Sequence, residues 1–284
     1  MSDLQSPSAA TALPPPAALR GKIEAGTARI GVIGMGYVGL PLARLFAASG
    51  FATLGFDIDP EKVETLNAGR SYLRHIAAAD IAKIVDGGRF SATADIDRAA
   101  DCDVLIICVP TPLTAHREPD LTFVERTAES IAGRLRAGQM VVLESTTYPG
   151  TTAEVLQPIL EAGGLTVGAE LFLAYSPERE DPGNRQYRIE QIPKVIGADD
   201  VDSRDLAQAL YGRIVAETVV VSSTRTAEAV KLSENVFRSV NIALVNELKV
   251  IYGAMGIDVW EVIDAAKTKP FGFMPFYPGP GLGG

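Results

Sequence analysis

The chain has 284 residues, 47% hydrophobic and 21% charged, enough to bury one large core or two smaller ones. A formal net charge of −9 and a pI near 4.9 argue against nucleic acid as a partner, because phosphate backbones are held by clustered Lys and Arg. An anionic ligand would need local devices such as helix N-termini, and no apolar run reaches the roughly 18 residues of a membrane span.

Residues 1–28 are rich in Ala, Pro and Ser, with the run Pro14–Pro16, and lack the basic start and apolar stretch of a signal peptide. They read as a disordered tail, with helical character at most around Leu19 to Ala25. From Arg29 to about Ser222, apolar runs alternate with amphipathic segments, the pattern of a parallel sheet with helices on both faces. The strands predicted are Arg29–Ile33, Ala52–Phe56, Val104–Cys108, Met140–Leu143, Leu171–Ala174, Val195–Ile196 and Thr218–Val221. The helices predicted between them are Tyr37–Ala48, Pro60–Asn67, Ala77–Val85, Leu121–Leu135, Thr151–Leu160 and Ser203–Tyr211.

After Ser222 the pattern changes. Thr224 to about Met255 has no Pro and no Gly before Gly253, and Val230, Val236, Phe237, Val240, Leu244, Leu248 and Ile251 recur at helical spacing. That predicts a helix roughly 45 Å long at 1.5 Å per residue, followed by a second from Val259 to about Lys267. Beyond Phe271, Gly and Pro preclude regular structure. The expected organisation is a tail (1–28), a dinucleotide-binding domain (29–222) and a central helical region (223–284). The fold class is α/β: a Rossmann-like doubly wound parallel sheet, then a long central helix and the start of a second, all-helical region.

Gly34-Met-Gly36-Tyr37-Val38-Gly39 follows the first predicted strand and opens a predicted helix. Its first Gly suits a tight turn, its second lets the backbone approach a pyrophosphate, and its third permits close helix–strand packing. The next strand ends at Asp57, where a carboxylate can bind a ribose 2′-hydroxyl and repel a 2′-phosphate, favouring NAD over NADP. Lys62, one turn into the following helix, could reach the adenosine side of the cofactor or be a solvated surface lysine. His75 and His116 have no ligand-like spacing to each other or to Cys102 and Cys108, so no metal is expected. The two cysteines give no disulfide framework, which fits a reducing cytoplasm.

Five blocks occur in order: Gly34-Met-Gly-Tyr-Val-Gly-Leu-Pro41, Cys108-Val-Pro-Thr-Pro112, Glu144-Ser-Thr-Thr-Tyr-Pro-Gly-Thr-Thr152, Ser176-Pro-Glu-Arg-Glu-Asp-Pro-Gly183 and Lys231-Leu-Ser-Glu-Asn235. Together they resemble the UDP-glucose/GDP-mannose dehydrogenase family over everything from about Lys22 to the end. Ser176 to Gly183 and Thr268 to Gly284 are most similar to its UDP-N-acetylglucosamine (UDP-N-acetylhexosamine) 6-dehydrogenase branch. The resemblance implies oxidation of a sugar C6 alcohol to a carboxylate with two NAD+, in polysaccharide precursor synthesis. A cysteine thiolate would trap the intermediate aldehyde, and water would hydrolyse the resulting thioester. It also implies a homodimer. In the family the nucleophilic cysteine follows the Gly-Leu-Gly-Gly turn by two positions. It would thus lie past Gly284, as would a UDP-binding third domain, so these 284 residues are expected to bind the UDP-sugar weakly and to be inactive alone.

The same resemblance assigns roles to single residues. Lys231 and Asn235 are four apart on the long helix, so both leave one face and can meet at one oxygen; by family match they stabilise an oxyanion. Glu178 would assist proton transfer or activate a water held by Thr146, while Ser145 and Thr111 would approach the cofactor. Taken alone, Glu178 could be a solvated loop acid and Thr111 simple turn chemistry. Arg238 could bind a partner or substrate, or make a plain helix ion pair. Arg179, Glu180 and Asp181 depart from the family's more apolar UDP-glucose branch. Cys108, ending an apolar strand, reads as a small buried hydrophobe rather than a nucleophile. Two rival readings remain: a hydroxyacid dehydrogenase of the 6-phosphogluconate type, which needs no cysteine, and a non-catalytic NAD-binding module.

Overall fold

The computed structural model describes residues 14–179 and 189–279, which form two compact units meeting in sequence at Glu228 and Ala229. In the first, the described residues build an eight-stranded sheet in the order β3-β2-β1-β4-β5-β6-β7-β8. The strands are β1 (Arg29–Ile33), β2 (Ala52–Phe56), β3 (Phe90–Thr93), β4 (Val104–Ile107), β5 (Met140–Leu143), β6 (Phe172–Tyr175), β7 (Lys194–Gly197) and β8 (Thr218–Val221). Every residue of β4, β5, β6 and β7 is buried. This is why these strands read as continuous apolar runs: helices cover both faces of a parallel sheet.

The helices are α1 (Pro15–Glu24), α2 (Gly39–Ala48), α3 (Pro60–Asn67), α4 (Ala78–Asp86), α5 (Thr122–Ala132), α6 (Gln157–Glu161), α7 (Val201–Tyr211), α8 (Thr224–Ala254) and α9 (Val259–Ala266). Side-chain caps start several of them: Asp59 accepts from Glu61 N–H, Asp200 from Ser203 N–H and Asp258 from Trp260 N–H. Where one helix was predicted over Thr151–Leu160, Thr152–Leu156 is π-helical and passes into α6. Pro158, at the start of α6, has no N–H to continue a regular ladder.

The structure corrects the sequence reading in three places. First, residues 14–28 are not a disordered tail. α1 packs against α7, with Leu19 and Ile23 in the core. Lys22 donates to Asp103 at 2.7 Å, and Arg213 donates to the Glu24 carbonyl at 2.6 Å. Second, β3 was not foreseen. It is an edge strand whose alternating burial leaves only Phe90 and Ala92 as apolar signal. Third, the sheet is not wholly parallel, since β7 pairs antiparallel with β6 through Tyr175 and Gly197. A crossover helix is needed only between parallel strands, and the described residues joining β6 to β7 hold just a short 3₁₀ turn, Ile189–Gln191.

The second unit holds most of α8, then α9. Val245, Val259 and Ile263 form its small core, with Leu248, Tyr252 and Phe276 packed around it. Asn246 exchanges two hydrogen bonds with the backbone of Gly279, at 2.9 and 3.0 Å, tying the irregular segment after α9 back to α8.

Candidate functional site

The strand order reverses beside β1, where β1 pairs with β2 on one side and β4 on the other; open α/β sheets bind ligands at such a point, beyond the strands' carboxyl ends. The turn out of β1 explains two of its three glycines by packing alone. Gly34 has φ 97°, and a Cβ there would lie 2.6 Å from the Cys108 carbonyl oxygen. A Cβ on Gly39 would overlap the Gly34 carbonyl oxygen. Gly36 differs: a Cβ there would meet nothing within 4 Å. The space a side chain would fill is open, directly before a helix, α2, whose N-cap Val38 supplies no side-chain acceptor. Free backbone N–H groups and room for a close approach are what a pyrophosphate requires.

Asp57 follows β2 and ties this turn together. Its carboxylate accepts from the N–H groups of Met35 and Asp59, each at 3.0 Å. Lys62 lies 3.3 Å from the same carboxylate, so it is paired rather than freely solvated. The hydroxyl of Tyr72 donates to the Met35 carbonyl, and burial, then Asp57 and Asp59, raise its pKa. Tyr37 is exposed and stacks on His75, with ring centroids 5.6 Å apart.

The loops beyond β4 and β5 are joined. Thr111 donates to the Thr146 carbonyl at 2.7 Å, and Ser145 donates to the Val109 carbonyl at 2.8 Å. Thr111, Ser145 and Thr146 therefore lie together beyond β4 and β5, although Ser145 is buried and Thr146 exposed. The next turn is anchored by a residue missed in the sequence, Glu228. Its carboxylate accepts from Gly150 N–H at 2.6 Å, Thr152 N–H at 2.8 Å and the Thr152 hydroxyl at 2.7 Å. Burial raises its pKa despite these donors.

Glu178 is not a solvated loop acid. Its side chain is 14% exposed and 3.7 Å from the ammonium of Lys194, and it accepts from Arg179 N–H at 2.7 Å. Lys194, the first residue of β7, also donates to buried Glu144 at 2.8 Å. The hydroxyl of Tyr211 donates to the other oxygen of Glu144. Glu180 and Asp181 lie outside the described residues. Neither cysteine suits nucleophilic work: burial pushes the Cys102 thiol up to about 12, and burial, then Glu144, holds the Cys108 thiol well above its ordinary value.

In the second unit, Lys231 and Asn235 are half-buried on one face of α8, with Leu232, Val236, Phe237 and Val240 exposed on another. Arg238 donates to the Asn235 amide oxygen at 2.7 Å, so the amide N–H groups take no part in that bond. The partner in that contact is an amide, not the carboxylate of the helix ion pair foreseen as one reading of Arg238.

Fold and glycine turn define a dinucleotide-binding α/β protein. Residues 28–215 match the NAD binding domain of the UDP-glucose/GDP-mannose dehydrogenase family, and residues 225–284 match its central domain. The chain belongs to that family, and NAD is its cofactor. It is 40% identical over 253 residues to a UDP-N-acetyl-D-glucosamine 6-dehydrogenase of Pseudomonas aeruginosa, covering 88% of this chain and 59% of that protein. It is 36% identical over 260 residues to a UDP-N-acetyl-D-mannosamine dehydrogenase of Pyrococcus horikoshii, covering 90% of this chain and 61% of that one. A solved structure of the UDP-D-ManNAc dehydrogenase from Pyrococcus horikoshii superposes with a TM-score of 0.83 at 36% identity, covering 88% of this chain and 60% of that one. The chain thus spans about three fifths of the length of these relatives.

Proposed function

We propose that the protein carrying this chain is a cytoplasmic, NAD-dependent UDP-N-acetylhexosamine 6-dehydrogenase. It would convert UDP-N-acetylglucosamine to its uronic acid in two hydride transfers. The observation that most supports this is the Lys231–Asn235 pair on one face of α8, with Arg238 engaging the Asn235 oxygen. A cation and an amide donor four residues apart suit an oxygen that becomes negative as C6 reacts.

The cofactor, when bound, supplies the hydride acceptor. Gly36 and the first turn of α2 would hold its pyrophosphate, Asp57 a ribose hydroxyl pair, and Thr111 and Ser145 its nicotinamide end. Loss of hydride from C6 must be matched by loss of a proton from its hydroxyl, for which Glu178 is the carboxylate. Thr146 would hold the water needed later for hydrolysis. The second oxidation needs a sulfur-bound hydroxyl at C6, and neither buried thiol of this chain provides one.

Two assays test the reading. The 284-residue polypeptide should bind NAD more tightly than NADP in a titration, and Asp57→Ala should narrow that gap; equal or tighter NADP binding would remove the role given to Asp57. With UDP-N-acetylglucosamine or UDP-N-acetylmannosamine it should not yield two NADH per sugar, whereas the complete gene product should, and Lys231→Ala should abolish turnover there with NAD binding intact. Two equivalents from the 284 residues alone would show that the chemistry runs without an exposed thiol. A complete gene product that binds NAD but oxidises neither sugar would point to a non-catalytic module.

A further inference from the structure

β7 runs opposite to β6, and β8 follows it in parallel; the reversal brings Lys194, the first residue of β7, to the end of β6. Tyr175 pairs with Gly197, and the residues that follow β6 pass beside the start of β7, where Glu178 lies 3.7 Å from the Lys194 ammonium. Two side chains after β6 also reach the backbone near the start of β7. Ser176 donates to the Val195 carbonyl at 2.8 Å, and the Arg179 guanidinium donates to the Pro193 carbonyl at 2.7 Å. Lys194 is 6% exposed, and besides Glu144 and Glu178 it reaches the Pro177 carbonyl at 3.3 Å. A cation this buried is costly to keep unless it is charge-paired. Burial alone would lower its pKa, but Glu144 and Glu178 outweigh that and raise it.

We propose that Lys194 is a positioning residue: its ammonium, clamped between Glu144 and Glu178, holds the Glu178 carboxylate in place by direct charge pairing. The significance of this for turnover rests on the role proposed above for Glu178. Among the described residues, Glu144 beyond β5 and Cys108 after β4 also act on Glu178, while Tyr211 from α7 acts on Glu144. Glu144 places a second carboxylate beside the same ammonium, so Lys194 serves both partners at once. Arg179 N–H adds a backbone donor that would survive the loss of Lys194.

Removing Lys194 alone would strand buried Glu144, so the comparison is made in a Glu144→Gln background. The 284-residue chain carrying glutamate labelled with ¹³C at the side-chain carboxyl is titrated by NMR, the Glu178 signal being the one lost in Glu178→Gln. Against Glu144→Gln, the double variant Glu144→Gln/Lys194→Met should move the Glu178 midpoint up by about one pH unit or more, the effect of losing an opposite charge within 4–6 Å. Glu144→Gln/Lys194→Gln serves as a second neutral replacement should the Met variant fail to fold, with NAD binding as the check on the fold. Equal midpoints would overturn the proposal. The titration involves no sugar and no turnover. A raised midpoint therefore supports Lys194 even if the sugar oxidation fails, and that failure is read separately from NADH formation.

Discussion

Gly36 and Gly39 stand three residues apart and are glycine for different reasons. Gly39 is required by the protein itself, because its Cβ would overlap the Gly34 carbonyl. Gly36 is surrounded by open space, so nothing in the protein itself forbids a side chain there. Gly36→Ala should leave the melting temperature nearly unchanged, within about 0.5 kcal/mol as for other unstrained surface sites, yet weaken NAD binding at least about tenfold, or 1.4 kcal/mol. Gly39→Ala should cost about 1–3 kcal/mol through overpacking before any ligand is added. Calorimetry of both variants checks the contrast, and a destabilised Gly36→Ala that still binds NAD would reverse it. The glycine turn, Asp57 and the Thr111–Ser145–Thr146 cluster were legible because each follows a strand that announces itself by continuous burial. Lys194 was not. A lysine opening a short apolar run looks like a solvated strand start, and only the reversal of β7 turns it inward to Glu144 and Glu178.

At the scale of elements, α1 shows where composition misleads. Ala, Pro and Ser around Pro14–Pro16 suggest disorder, but Pro at a first helical turn is compatible with a helix, and Leu19 with Ile23 forms an i, i+4 apolar pair. Ile23 is fully buried, so Ile23→Ala should lower stability by about 2–4 kcal/mol in urea unfolding; a loss below about 0.5 kcal/mol, typical of surface sites, would return this stretch to a tail. Asp103 joins α1 to the sheet, accepting from Lys22, from Arg29 N–H at 2.9 Å and from Arg136 at 2.9 Å. Burial opposes its ionisation, but these three donors outweigh it and lower its pKa. A depressed carboxyl stabilises the fold above its unfolded value, near pH 3.9, and that stability is lost as pH falls through the folded value. Asp103→Asn should therefore cost about 1–2 kcal/mol at pH 7, at the lower end because Lys22 and Arg136 are partly solvated. The gap to wild type should close below about pH 4, and a constant gap from pH 7 to pH 3 would rule the charge out as the cause.

For the whole molecule, the exposed apolar face of α8 is the main unfinished surface. Leu232, Val236, Phe237, Val240 and Leu244 are each more than two fifths exposed, and a contiguous patch of that kind usually marks an interface. A second copy of the chain is the partner proposed, as the family resemblance implies. Sedimentation should show a dimer that Val240→Glu shifts toward monomer without loss of NAD binding. A clean monomer of the unmodified chain at high concentration would count against it. The length and start of α8 were legible because some thirty residues keep helical spacing without an interior proline. The bonds from Glu228 in its first turns to Gly150 and Thr152 were not, since a glutamate in a helix gives no hint that its carboxylate will serve a distant turn.

The helix α1 also bears on where this protein can be cut. The stretch matching the NAD binding domain begins at residue 28, and a gene trimmed to that boundary would look complete by similarity. It would nevertheless omit Leu19 and Ile23, lay bare the surface of α7 beneath them, and deprive Asp103 of Lys22. Such a trimmed polypeptide should come out of expression aggregated or poorly folded, while one starting before Pro14 should stay in solution. For this chain, the practical limit of the domain is set by a helix that lies before the stretch matching the NAD binding domain.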